Sequence, residues 1–266
     1  RAVGLPRSWL ARFQIVEYIR SFTIGRTALD RLNAVLIISG VFAIFRKDVA
    51  VSVGGYLTRS VTRKLLREYV GPARDTVCED MEIIVRIQRY IRDKGLDLRV
   101  AYTPYPLCWT EAPETARSLF KQRNRWMRGL IETMHYHRDL LFCPRYGSLG
   151  WFAYPYFLFF ELLSAPIEFL GYVATPCLWG LGMLSWTYLV TFFVLSVACG
   201  TLVSVAAVVA GAWLEPTDPA RQRYGSLLKY SRWRDLSRLL LCGLLENFGF
   251  RQFTLWARVR GLWDWC

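Results

Sequence analysis

Residues 151–214 read WFAYPYFLFFELLSAPIEFLGYVATPCLWGLGMLSWTYLVTFFVLSVACGTLVSVAAVVAGAWL, and their only charges are Glu161 and Glu168. Roughly 20 apolar residues cross a bilayer, so the stretch is long enough for two membrane spans. The first carries Pro155, Pro166 and Pro176 and is expected to be kinked or broken, because a proline inside a helix removes a backbone hydrogen bond. The second is expected near Thr187 to Leu214. Both flanks are basic, with Arg138 and Arg145 before and Arg221, Arg223, Lys229, Arg232 and Arg234 after. Lys and Arg are retained on the cytoplasmic side, so both flanks are expected there, and two crossings satisfy that parity.

Working outward, the composition reverses. Residues 1–150 hold 25 of the 34 Lys/Arg and 14 of the 21 Asp/Glu in a 266-residue chain of net charge +13. A basic soluble segment therefore leads into a membrane segment. The basic residues form no nucleic-acid-binding motif and lie beside apolar spans, which argues against nucleic acid and for anionic headgroups or nucleotide phosphates. Seven cysteines are scattered singly with no C-x-x-C, a set that fits a reducing compartment and gives a zinc site little support. Arg1 stands where an initiator Met would, with no signal-peptide pattern, which sets the expectation of a piece of something longer.

The soluble half reads as alternating helices and strands. Apolar Leu10, Phe13, Val16, Ile19 and Phe22 recur within Ser8 to Ala28 and predict an amphipathic helix. The runs Ala34 to Ser39 and Val41 to Phe45 read as buried strand, closed by Arg46-Lys47-Asp48. Thr58 to Asp75 reads as a mobile loop, and Thr76 to Lys94 as a helix with Glu79, Asp80 and Glu82 at its start and Gly95 at its stop. Leu98 to Tyr102 is a further expected strand. A second helix begins near Pro113, with Leu119, Phe120, Met127, Leu130, Ile131 and Met134 on one face and basic residues around the rest, a pattern suited to a membrane interface. Leu236 to Trp256, interrupted by Glu246, Asn247 and Arg251, reads as a third span or an interfacial helix.

Few residues could do chemistry. Cys78-Glu79-Asp80 puts two carboxylates at a helix start, where they favour the dipole; taken alone, that capping role is the favoured reading, and a general base is the alternative. Gln122-Arg123-Asn124-Arg125-Trp126 combines a phosphate-pairing guanidinium, an amide and a flat ring for a sugar, although an interfacial helix with a Trp anchor has the same composition. His135 and His137 diverge on a helix and read as solvated interfacial residues rather than a metal pair. The order of these parts, a Glu-Asp helix start, a strand, a proline-rich loop, Q-x-x-R-W and then membrane spans, is rarer than any one of them.

In that order they resemble the second half of family 2 inverting glycosyltransferases of the cellulose-synthase and hyaluronan-synthase type. Glu79-Asp80 is similar to the end of the T-E-D motif, with Cys78 in place of Thr, and Gln122, Arg125 and Trp126 are similar to Q-x-x-R-W. Ser39-Gly40 to Arg46 resembles the acceptor-side loop, and Cys108-Trp109-Thr110-Glu111-Ala112-Pro113 the lead into the Q-x-x-R-W helix.

The resemblance implies that Asp80 is the catalytic base, that Gln122 and Arg125 hold the donor diphosphate, and that Trp126, Ser39, Gly40 and Glu79 face the acceptor. It implies an α/β fold, the C-terminal half of a GT-A nucleotide-sugar-binding domain over 1–112. An interfacial region at 113–150, two transmembrane helices at 151–214, and a basic loop with a third transmembrane or interfacial helix at 215–266 follow. Expected partners are a nucleotide-sugar donor, a saccharide or lipid-linked acceptor and the lipid bilayer, with no nucleic acid. The expected location is the inner (plasma) membrane, multi-pass, with the catalytic part cytoplasmic. Mg²⁺ or Mn²⁺ is expected for the full-length enzyme, yet no D-x-D occurs in the chain. That absence sets the expectation of an N-terminally truncated fragment, inactive alone, from an enzyme that extends a polysaccharide. The alternatives are a non-processive transferase acting on lipid, or a catalytically silent membrane scaffold.

Overall fold

The computed structural model describes residues 5–38, 40, 42–57, 69–70, 75–103, 111–214 and 233–265. The expected loop from Thr58 lies mostly outside these, as do Ser39, Cys108 to Thr110 and the basic flank from Arg221 to Arg232. The helices are α1 (Trp9–Ile19), α2 (Thr27–Arg31), α3 (Lys47–Ser52), α4 (Glu79–Asp93), α5 (Ala116–Tyr136), α6 (Leu149–Gly180), α7 (Trp186–Leu214), α8 (Trp233–Leu245) and α9 (Phe250–Trp265). They fall into two compact units, one of residues 1–27, 103–120 and 166–256, the other of 28–102, 121–165 and 257–266.

In the first unit, α1 starts at Ser8, whose hydroxyl accepts from the Ala11 N–H. The helix expected over Ser8 to Ala28 widens into a π-helical stretch at Arg20–Arg26 before α2. Its face is settled by packing: Val16 and Ile19 are buried with Val208 of α7 and Leu239 and Cys242 of α8. The stretch read as one helix from Leu236 is two, α8 and α9, parted by a turn in which Gly249 has φ +96°. Glu246 and Asn247 at this break are buried, and Arg20 meets the Glu246 carboxylate at 2.6 Å. Ser204 of α7 hydrogen-bonds the same carboxylate, and Asn247 donates to Thr201 at 3.2 Å, so the charges are compensated where they leave water.

In the second unit α4 is the centre, with Ile83, Ile84, Ile87 and Ile91 packed on Val49 and Val53. Gly95, at φ +59°, takes the left-handed conformation that ends it. Among the described residues no strand is present at the expected positions, and Phe42 makes one isolated bridge. The physical reason is that an extended segment becomes a strand only beside another that completes its ladder. Side chains hold parts of these runs. Gln88 donates to the Val35 carbonyl at 3.0 Å, Arg92 to that of Asn33 at 3.1 Å, and the Tyr102 N–H donates to Asp30 at 2.8 Å. Val35 and Leu36 are buried all the same.

The apolar face of α5 is likewise turned into protein, with Leu119, Met127, Leu130, Ile131 and Met134 buried. His137, expected to be solvated, is fully buried. Arg86 forms a bidentate pair with Glu82 one turn earlier on α4, and Glu82 also meets His137 Nε2 at 3.4 Å. Arg89 donates to His137 Nδ1 at 3.0 Å and pairs with Asp139 at 2.5 Å. His135 remains exposed, as read. His137 is buried because it lies just past the end of α5, where the chain turns onto the charged side of α4.

Two helices are long and apolar enough to cross a membrane, Leu149–Gly180 and Trp186–Gly211. π-Helical turns at Leu149–Ala153 and Phe157–Leu162 flank Pro155, whose missing N–H shifts the ladder. Pro166 and Pro176 are absorbed within helix Ser164–Gly180.

Candidate functional site

Cys78 caps α4 in a non-helical conformation without a side-chain hydrogen bond, and the first turn carries Glu79, Asp80 and Glu82, charges that favour the N-terminal end of a helix. Asp80 Oδ1 accepts from the Met81 N–H at 2.9 Å. Its other oxygen faces Gly40, where an added Cβ would lie 3.0 Å from Oδ2. Glycine is thus what lets the backbone come this close. Burial, and then the neighbouring Glu79, push the Asp80 pKa above the usual carboxylate value, while the Met81 N–H and the Arg125 charge oppose them. A half-buried carboxylate raised in this way is a stronger base than a solvated one. Glu79 itself is exposed.

The other candidates project from the N-terminal half of α5. Arg125 is exposed, and its charge acts on both Asp80 and Cys78. Gln122 Oε1 is buried with no hydrogen-bond partner among the described residues, an acceptor suited to a hydroxyl. Trp126 is 37% exposed, with the Arg123 guanidinium 4.5 Å from its ring centroid. The fold therefore brings Gly40, Asp80 and Arg125 into one neighbourhood, with Gln122 and Trp126 on the same helix as Arg125.

Spacing arguments miss a second set of contacts. The Cys78 thiol donates to the Arg125 carbonyl at 3.7 Å, and burial pushes its pKa up to about 12. A Cβ at Gly129 would lie 2.3 Å from that of Cys78, so α5 and the start of α4 touch at a glycine. Glu132 Oε2 accepts from both the Thr76 hydroxyl and the Val77 N–H, each at 2.9 Å. Tyr136 donates its hydroxyl proton to the Asp75 carbonyl at 3.0 Å. The available signal is Gly129 inside a 21-residue helix, where glycine costs ~1 kcal/mol in propensity and so marks a close approach.

For the divalent ion implied by the family resemblance, the residues present do not fit. Among the described residues no three His, Cys, Asp or Glu side chains gather to hold a metal. Glu79 and Asp80 are two carboxylates, and one oxygen of Asp80 already accepts from the Met81 N–H.

The chain matches the family described as glycosyl transferase family group 2 over residues 4–211. It is similar to a poly-beta-1,6-N-acetyl-D-glucosamine synthase of Staphylococcus aureus (strain COL), 30% identical over 136 residues, which cover 49% of this chain and 28% of that protein. The synthase of the same name from Staphylococcus epidermidis is 29% identical over 136 residues, with the same shares of 49% and 28%. The chain thus matches little more than a quarter of the length of these relatives. No solved structure matches it. The family match takes in Gly40, Asp80, Gln122, Arg125 and Trp126 and most of both apolar helices, so the chain belongs to glycosyl transferase family group 2.

Proposed function

We propose that this chain carries the acceptor side of an inverting transfer in which a sugar passes from a nucleotide-sugar donor to a growing polysaccharide. The observation that supports this best is Asp80: a half-buried carboxylate of raised pKa, set against Gly40 and within the field of Arg125. Asp80 takes the proton of the acceptor hydroxyl, whose oxygen attacks the anomeric carbon as the bond to the diphosphate breaks on the opposite face. Charge then grows on the diphosphate, where the exposed Arg125 pairs with it and Gln122 hydrogen-bonds the donor. Trp126 offers its ring to the terminal acceptor sugar, with Gly40, Ser39 and Glu79 on the acceptor side.

In the same reading, residues 34–38 and 98–102 are sheet positions of an α/β nucleotide-sugar domain, in keeping with their place outside any helix and the burial of Val35 and Leu36. α6 and α7 cross the bilayer, and the transfer site faces the cytoplasm, where nucleotide sugars are made. The names of the relatives make N-acetylglucosamine the first donor sugar to test and a polymer the expected product.

The test uses the protein expressed from its full reading frame in membranes, incubated with labelled UDP-N-acetylglucosamine, UDP-glucose and GDP-mannose. One donor is expected to give a ladder of polymeric products; a single-sugar lipid product would replace the polysaccharide acceptor by a lipid. Asp80→Asn is expected to lower transfer by about 100-fold or more while donor binding stays within about twofold, because the base acts on the acceptor. Transfer near wild type in that variant would remove Asp80 from its role.

A further inference from the structure

The segment Asp75–Cys78 runs antiparallel along one stripe of α5. Arg125, Gly129, Glu132 and Tyr136 are spaced i, i+4, i+7 and i+11, positions that share one helix face. Tyr136 holds Asp75, Glu132 holds Thr76 and Val77, and Gly129 and the Arg125 carbonyl receive Cys78. The lengths agree: from Gly129 to Tyr136 the helix rises about 10 Å, as far as three extended residues reach. The next residues after this clamp are Glu79 and Asp80, and the next turn of α5 beyond it carries Arg125 and Gln122.

From this we infer that Glu132 is a positioning residue, which ties the segment entering the Glu79-Asp80 turn to the helix bearing Gln122, Arg125 and Trp126, and so sets where the base stands. The inference rests on Asp80 being the base. Both hydrogen bonds fall on the single oxygen Oε2, so the role is geometric: an amide oxygen at the same place accepts the same two donors. Glu132→Gln therefore preserves the clamp. Glu132→Leu leaves the Val77 N–H and the Thr76 hydroxyl without their acceptor and lets the segment lift from α5.

The test compares Glu132→Leu, Glu132→Gln and Thr76→Val in the full reading frame in membranes, with whichever of labelled UDP-N-acetylglucosamine, UDP-glucose or GDP-mannose the wild type turns over. Misplacing a reacting group by about 1 Å costs up to about 100-fold, so Glu132→Leu is expected to lower kcat by about 10- to 100-fold. Its KM for donor stays within about twofold. The acid limb of its pH–rate profile moves to lower pH, because water reaches a carboxylate that burial had raised; a mere loss of folded protein would not move that limb. Glu132→Gln keeps kcat within about threefold, and Thr76→Val, which removes one of the two bonds to Glu132 and the bond from the Cys78 N–H to the same hydroxyl, falls between. Wild-type kcat with an unmoved acid limb in Glu132→Leu overturns the inference, as does a Glu132→Gln enzyme impaired as severely as Glu132→Leu. If Glu132→Leu does not accumulate, Thr76→Val decides in its place, with wild-type kcat again the overturning result. Asp80→Asn run alongside separates the two readings. If it is active, the base assignment falls; if it is inactive while Glu132→Leu behaves as wild type, only the positioning role falls.

Discussion

Asp80 and Gly40 are 40 positions apart in the chain, and the carboxylate oxygen rests where a glycine leaves room. Gly40→Ala would place a methyl 3.0 Å from Oδ2, closer than ordinary contact, so the carboxylate must turn away. Transfer is expected to drop about 10-fold, with donor KM little changed, in the same membrane assay. The Asp80 pKa is raised, so the base is protonated, and inactive, up to a higher pH than a solvated carboxylate would be. The rate should therefore rise with pH through a limb above the usual carboxylate value. The Glu-Asp pair was legible as residue type and helix position. Gly40 was named beside it only through the family resemblance, because nothing in the residues alone marks which glycine a carboxylate will meet.

The pairing of α4 and α5 decides more than either helix alone. Both were legible from capping and periodicity, with bounds shifted by a few residues: Glu79–Asp93 where Thr76 to Lys94 was expected, and Ala116–Tyr136 where the start was placed near Pro113. What the pattern missed is the buried polar network between α4 and the chain just after α5, because a charged residue reads as solvated until a partner is seen. Burial keeps His137 neutral, its pKa below the ordinary value although Glu82 pulls the other way. It donates from Nε2 to Glu82 and accepts at Nδ1 from Arg89, with Arg86 and Asp139 completing the charged surroundings. The unfolded chain takes up this proton below about pH 6.5 and the folded one does not, so stability is complete above that pH and falls as pH drops through the window. The slope is up to ~1.4 kcal/mol per pH unit from this group. Burial raises the Glu82 pKa, but its bonds to His137 and Arg86 outweigh that and hold it low, so its own contribution is lost only at more acid pH. Thermal melts of the detergent-solubilised protein should show the midpoint falling between pH 6.5 and 5. His137→Gln should flatten that fall, and an unchanged slope would assign it elsewhere.

For the molecule as a whole, the two long apolar helices set the strongest constraint. In the most apolar window of each candidate span only 11% and 17% of the residues are buried, so these helices present apolar side chains such as Phe160, Ile167, Leu195 and Leu202 outward. A surface of that kind is stable in lipid. If both spans cross, Leu141→Cys and Arg234→Cys should label from one side of sealed vesicles with a membrane-impermeant maleimide, and Ser185→Cys, between the spans, from the other. Cys177 and Cys199, which lie on the spans and are exposed in the protein, should stay unlabelled until the membrane is dissolved. Labelling of all three engineered sites from one side would reduce the helices to surface anchors.

By itself the sequence determined the two apolar spans, the helix with an acidic start and the order of the Glu-Asp and Q-x-x-R-W segments, because hydropathy, capping and motif spacing are local properties of a chain. The tertiary structure decided what those segments are to one another: Asp80 against Gly40, Glu132 holding the chain that leads to it, and His137 buried between two arginines and a carboxylate. Each of these depends on groups brought together from distant positions, and a desolvated polar group is stable only where such a partner arrives.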